Sequence, residues 1–245
     1  RSLEDCIDSL FPANGPLAQR AVAQAHLDVA EWLKQHRQWN DERPNRAALN
    51  QLHQIAERLN LPLPLIYDTA LELRQRGQLP PPHHGFRAFP LREATDMTSL
   101  RVPLLEPAEQ PKAGQPLKLR AFLGWLKIEK VPVPKWDAGE HAGQPMWDGG
   151  HVYGAPVFAI LDQDPAWRDA IRTAVQFVNS CSSRREEAHS IPEKNSQSLV
   201  TSAATKGYDF RWSLARTDGH PLPPILLGDQ VGAAFAMGLA QLAGI

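Results

Sequence analysis

Toward its C-terminal end the chain carries Gly228, Asp229, Gln230, Val231 and Gly232, and then the uncharged run AAFAMGLAQLAGI to Ile245. A glycine turn that enters a helix leaves backbone N–H groups free, and such groups receive a phosphate or stabilise an oxyanion. This turn lacks the Lys-Ser/Thr pair of a phosphate-binding loop and does not form G-x-G-x-x-G, which argues against nucleotide chemistry. Other residue types able to do chemistry are scattered. Glu140, His141, Asp148 and His151 have zinc-binding atoms but no recognised ligand spacing, and the adjacent His83 and His84 cannot face one ion from a regular helix. Neither a metal nor a cofactor is expected. Asp162 and Asp164 read as turn and cap residues rather than as an acid-base pair.

A second candidate lies in LNQLHQIAERLNLPLPLIYDTALELRQRGQL, residues 49–79. A small Ala56, a tight connector and a second helix bearing Ile66 and Tyr67 have the outline of a winged helix-turn-helix. Reading DNA would require basic residues on that second helix. Only Arg74 and Arg76 qualify, both behind Asp68 and Glu72, and residues 1–80 carry nine Lys or Arg against ten Asp or Glu. An interaction or structural role is favoured over a nucleic-acid partner.

Composition narrows the classes further. The 245 residues are 42% apolar and 22% charged, with a formal net charge of -1, so a sizeable core is available and no global field draws in nucleic acid or an anionic membrane. Cys6 and Cys181 form neither a CxxC pattern nor a disulfide framework. No membrane-spanning run and no signal-peptide pattern is visible, and a cytoplasmic protein is expected. The absence of an initiator Met suggests a trimmed, processed or partial chain.

The elements that would position these residues follow from periodicity. Leu17, Ala21, Val22, Ala25, Val29, Trp32 and Leu33 recur at helical spacing, as do Leu49, Leu52, Ile55, Ala56 and Leu59, and then Leu65, Ile66, Thr69 and Leu73 before Gly77 as a cap. Dense prolines over residues 81–115 suggest a linker in which neither helix nor central strand persists. LKLRAFLGWLKIEKVPV reads as a strand with a bend at Gly124, HVYGAPVFAILD as a second strand, and DPAWRDAIRTAVQFVNS as a helix capped by Asp164. Residues 182–206 read as a polar surface loop, and YDFRWSLAR as a strand alternating Phe210, Trp212 and Leu214 against charged neighbours. The expected fold is α+β: a helical module over 1–80, a Pro-rich linker over 81–115, and an α/β sandwich layer over 116–245.

The order strand, glycine turn, small-residue helix over residues 150–245 resembles the nucleophile segment of Lon-type serine peptidases. Their turn has the form Gly-x-Ser-Ala-Gly, and here it corresponds to the string from Gly228 to Ala234. The resemblance implies an incomplete Lon-like domain in which Gly228, Asp229, Val231 and Gly232 form a binding turn and Gln230 stands at the nucleophile position. An amide cannot be deprotonated to attack a carbonyl. The family's basic lysine lies beyond the nucleophile helix, past Ile245, while Lys194 and Lys206 lie upstream of the turn. The implied protein is a non-catalytic regulatory or interaction module, completed by a protein or peptide partner or by a second fragment of the same protein. Phe235, Met237 and Leu242 would then expose an apolar surface until that partner covers it. One alternative is an active Ser-Lys peptidase with its serine substituted and its lysine on an unseen part. The other is a winged-helix DNA-binding regulator using Arg74 and Arg76.

Overall fold

The computed structural model describes residues 17–36, 46–78, 92–108, 118–136, 139–158, 161, 164–185, 207–220, 222, 226 and 231–244. The first three elements are helices, α1 (Leu17–Gln35), α2 (Arg46–Leu59) and α3 (Leu63–Gln78). Val22, Ala25, Val29 and Trp32 of α1 pack with Ala48, Leu49, Leu52, Ile55 and Ala56 of α2, the stripes set by the 3.6-residue period. Asn60 turns the chain between α2 and α3 with φ 52°, a left-handed conformation that asparagine tolerates. The Leu61 N–H then donates to the Ala56 carbonyl (2.9 Å). In α3 every residue from Leu65 to Leu71 is buried, because α1 and α2 cover one side and other parts of the chain cover the rest. The helix runs one residue past Gly77.

The remaining elements build a four-stranded sheet: β1 (Asp96–Pro107), β2 (Leu119–Pro132), β3 (Val152–Gly154) and β4 (Tyr208–Arg216), in the order β1-β2-β4-β3. The β1-β2 and β2-β4 pairs are antiparallel, while β3 runs parallel to β4 with Val152 opposite Phe210. A 3-10 turn (Pro156–Phe158) and helix α4 (Pro165–Arg185) connect the parallel pair, and α5 (Gly232–Ala243) follows β4. Asp164 caps α4 as its sequence suggests, its Oδ1 accepting from the N–H groups of Ala166 (3.0 Å) and Trp167 (3.3 Å). The architecture is mixed α+β. No helix among the described residues is long and apolar enough to cross a membrane.

Three expectations change, besides the strand expected over HVYGAPVFAILD, which is only Val152–Gly154 before the 3-10 turn. The segment read as linker contains β1, which pairs with β2 along its whole length. Its prolines are tolerated because β1 is an edge strand, where a missing N–H need not break a ladder. β2 crosses Gly124 unbroken. That glycine serves close packing instead: a β-carbon there would stand 2.5 Å from Leu104 Cδ1. The third change concerns α5, because Phe235 and Leu242 face the core, where Leu104, Leu126, Ile128, Ile171 and Trp212 are also buried, and only Met237 is exposed. Trp212 stacks on Trp167 at 5.5 Å and meets the Phe235 ring edge-on at 5.5 Å, so α4, β4 and α5 share one aromatic centre. Phe235→Ala should therefore lower stability by about 3–5 kcal/mol, and Met237→Ser should stay within about 0.5 kcal/mol of the parent, in urea titrations. Small and equal effects would contradict this packing.

Candidate functional site

The two ends of the parallel β3-β4 pair carry different chemistry. At the C-terminal end lies the approach to α5. Gly228, Asp229 and Gln230 are outside the described residues. Val231 is fully buried and takes the N-cap position of α5 with no side-chain cap bond, and Gly232 opens the helix. Gly232 sits against Ala170 in the second turn of α4, and the Trp167 indole donates to the Leu226 carbonyl at 3.3 Å. Leu226 and Gly232 are thus both held beside the start of α4, where the parallel strands end. In open α/β sheets, ligands bind on that side.

At the other end, under the helices, lies a cluster that sequence patterning did not single out. Asp68, in the middle of α3, is fully buried. Its Oδ1 accepts from Arg92 Nε (2.8 Å), and its Oδ2 accepts from Arg211 Nη1 (3.1 Å) and the Tyr153 hydroxyl (2.6 Å). Arg92 also donates to Tyr153 Oη (2.7 Å), the Pro132 carbonyl (3.0 Å) and Asp209 Oδ2 (3.2 Å). Arg211 donates further to Glu129 Oε2 (3.0 Å) and the Arg92 carbonyl (3.0 Å). The rings of Trp147 and Tyr67 lie 5.3 and 5.9 Å from the Arg92 guanidinium carbon.

The electrostatics are closed. Burial disfavours the Arg92 cation, but Tyr153, Asp68 and Asp209 outweigh it and hold its pKa above the ordinary arginine range. Burial also works against the Arg211 charge, and Asp68, Tyr153 and Glu129 again prevail. Glu129, although partly buried, is held below the usual carboxylate range by Lys127 and Arg211. The arrangement fastens α3 to β3 and β4. Removing one partner from such a network strands a buried charge, at a cost of roughly 3–5 kcal/mol.

Among the remaining sequence candidates, Arg74 is partly buried on α3 and Arg76 lies in that helix's last turn. His141 Nδ1 pairs with Gln144 Oε1 (3.1 Å), Glu140 and Asp148 are exposed, and His151 Nδ1 meets Asp209 Oδ1 (3.1 Å). Among the described residues no group of three metal-ligating side chains comes together. His83, His84, Lys194 and Lys206 lie outside them. The usable sequence signal for the cluster was Asp68 alone within LIYDTAL, a carboxylate with no polar face to point to. Compared with known proteins, the chain matches no family model, no curated protein and no solved structure.

Tyr153 gives the cluster a pH signature. Burial pushes its phenol well above the ordinary tyrosine range. The unfolded chain releases that proton near pH 10, roughly, while the folded protein keeps it. The contribution to stability is therefore complete below that pH and is lost as the pH rises through the raised value. In alkaline titrations, wild type and Tyr153→Phe should develop the same tyrosinate absorbance while folded and differ by one phenolate once denatured. A difference in the folded range would contradict the placement.

Proposed function

We propose that the chain is a Lon-like domain without peptidase activity, acting as a regulatory or interaction module that binds a protein or peptide partner. The observation that carries this is Gln230 in the turn before α5. A glutamine amide offers no nucleophile, whereas the free backbone N–H groups of a glycine turn still suit binding of a carbonyl or carboxylate. A strand, β4, followed by a helix of small residues, α5, is the order the family uses.

The burial of α3 favours this function over DNA reading. A recognition helix presents the residues of its N-terminal half to base edges. Here the stretch from Leu65 to Leu71 is buried, and Asp68 within it is committed to Arg92 and Arg211.

Fluorescein-labelled casein, an unstructured polypeptide, serves as the probe. The expected outcome is a rise in anisotropy on adding the protein, with the probe intact by electrophoresis, and no mobility shift of duplex DNA at low salt. Fragments of the probe would establish a peptidase and overturn the proposal. So would a DNA shift that weakens with salt and with Arg74→Ala, or the absence of any binding.

A further inference from the structure

We propose that His151 is a nucleophilic imidazole that accepts acyl groups from activated esters and thioesters, with Asp209 and Arg92 as its positioning residues. The site is separate from the turn before α5, because His151 and Asp209 stand at the N-terminal ends of β3 and β4, and Gly232 stands by α4 at the opposite end of the pair.

The geometry runs from the buried acid outward. Asp209 is fully buried. Its Oδ2 accepts from Arg92 Nη1 (3.2 Å) and Trp147 Nε1 (3.1 Å), which fixes the carboxylate in rotation. Its Oδ1 accepts from the His151 backbone N–H (3.3 Å) and from His151 Nδ1 (3.1 Å), so one oxygen orients both the backbone and the ring. Accepting from Nδ1 requires the proton on that nitrogen, which leaves the lone pair of the neutral ring on Nε2. A third of the His151 side chain is open to solvent (33%), and Nε2 has no partner among the described residues. An orienting acid behind an exposed imidazole nitrogen is the arrangement that activates a histidine.

The other described histidines lack it. His26 and His36 bond to carbonyls of their own helix, His141 to an amide, His53 approaches the exposed Glu57 at 3.8 Å, and the exposed His220 meets the exposed Asp218 through its backbone N–H (3.1 Å).

The chemistry balances without a further reactant beyond water. Nε2 attacks the carbonyl carbon, the C–O or C–S bond breaks, and the alkoxide or thiolate leaves. The acyl-imidazolium so formed has its positive charge facing Asp209 through Nδ1–H. Water then adds to the acyl carbon, one of its protons passing to the alkoxide or thiolate released in the first step, and the N–C bond breaks. The carboxylic acid departs with water's other proton, and the neutral imidazole is regenerated.

The test uses p-nitrophenyl acetate with the full chain, following nitrophenolate release together with peptide mass mapping of the acetyl group. Acetylation should appear first on His151 although most of that side chain is covered, and His151→Gln should slow release by about tenfold or more. His141→Gln should leave the rate unchanged, and Asp209→Asn should slow acetylation of His151 while leaving that of His141 as it was. Acetyl groups that follow solvent exposure alone, or an unchanged rate in His151→Gln, would overturn the proposal. Mapping on the wild-type protein decides the matter even where Asp209→Asn fails to fold.

Discussion

A carboxylate in the middle of a buried helix cannot remain ionised unless cations are brought to it, and Asp68 sets that requirement for the whole molecule. The charges arrive from Arg92, just ahead of β1, and from Arg211 on β4, and the Tyr153 hydroxyl completes the set from β3. Because an ion in low dielectric without its partner costs several kcal/mol, α3 has one acceptable position over the sheet. The contacts around it follow that position. Trp136, Met146 and Trp147, from the loop between β2 and β3, reach into the apolar cluster of the helices and shield the ions from water.

β4 is where the two halves of the protein meet, and its alternation explains how. Phe210, Trp212 and Leu214 point to α4 and α5, while Arg211 reaches Asp68 of α3 and Asp209 reaches Arg92. A strand buried on both faces ordinarily reads as a continuous apolar run. Here one face is ionic, and the polar side chains are satisfied by long-range partners rather than by water. The same strand separates the start of α5 at one end from His151 with Asp209 at the other. The face that β1 and β2 turn away from α5 is different again, with Met97, Leu119 and Leu123 exposed on it.

Much of the fold was legible in the sequence, and the exceptions have physical causes. Helices α1 to α4 were readable because their apolar spacing and the Asp164 cap are local signals, and Phe210, Trp212 and Leu214 correctly marked one side of β4. β1 was hidden because Pro103 and Pro107 argue against a strand unless it is known to be an edge, and edge position is a property of the assembled sheet. Phe235 and Leu242 were misplaced because an uncharged helix gives no polar face from which to tell core from surface. The charged cluster was illegible for a sharper reason. Its bonds join residues as far apart as Asp68 and Arg211, 143 positions along the chain, and alternation assigns Asp209 and Arg211 to solvent. Of the candidate sites, the glycine turn is read from its residues and Gly228, Asp229 and Gln230 lie outside the described ones, whereas His151 gained its partner only from the pairing of β3 with β4.

Asp68 makes α3 part of the same cooperative unit as the sheet. Native-state hydrogen exchange measures this most directly, through the opening free energies of amides in α3 and in β4. The slowest amides of both elements should exchange with the same free energy, equal to that of global unfolding. Exchange of α3 at a clearly lower free energy, with β4 still protected, would contradict it.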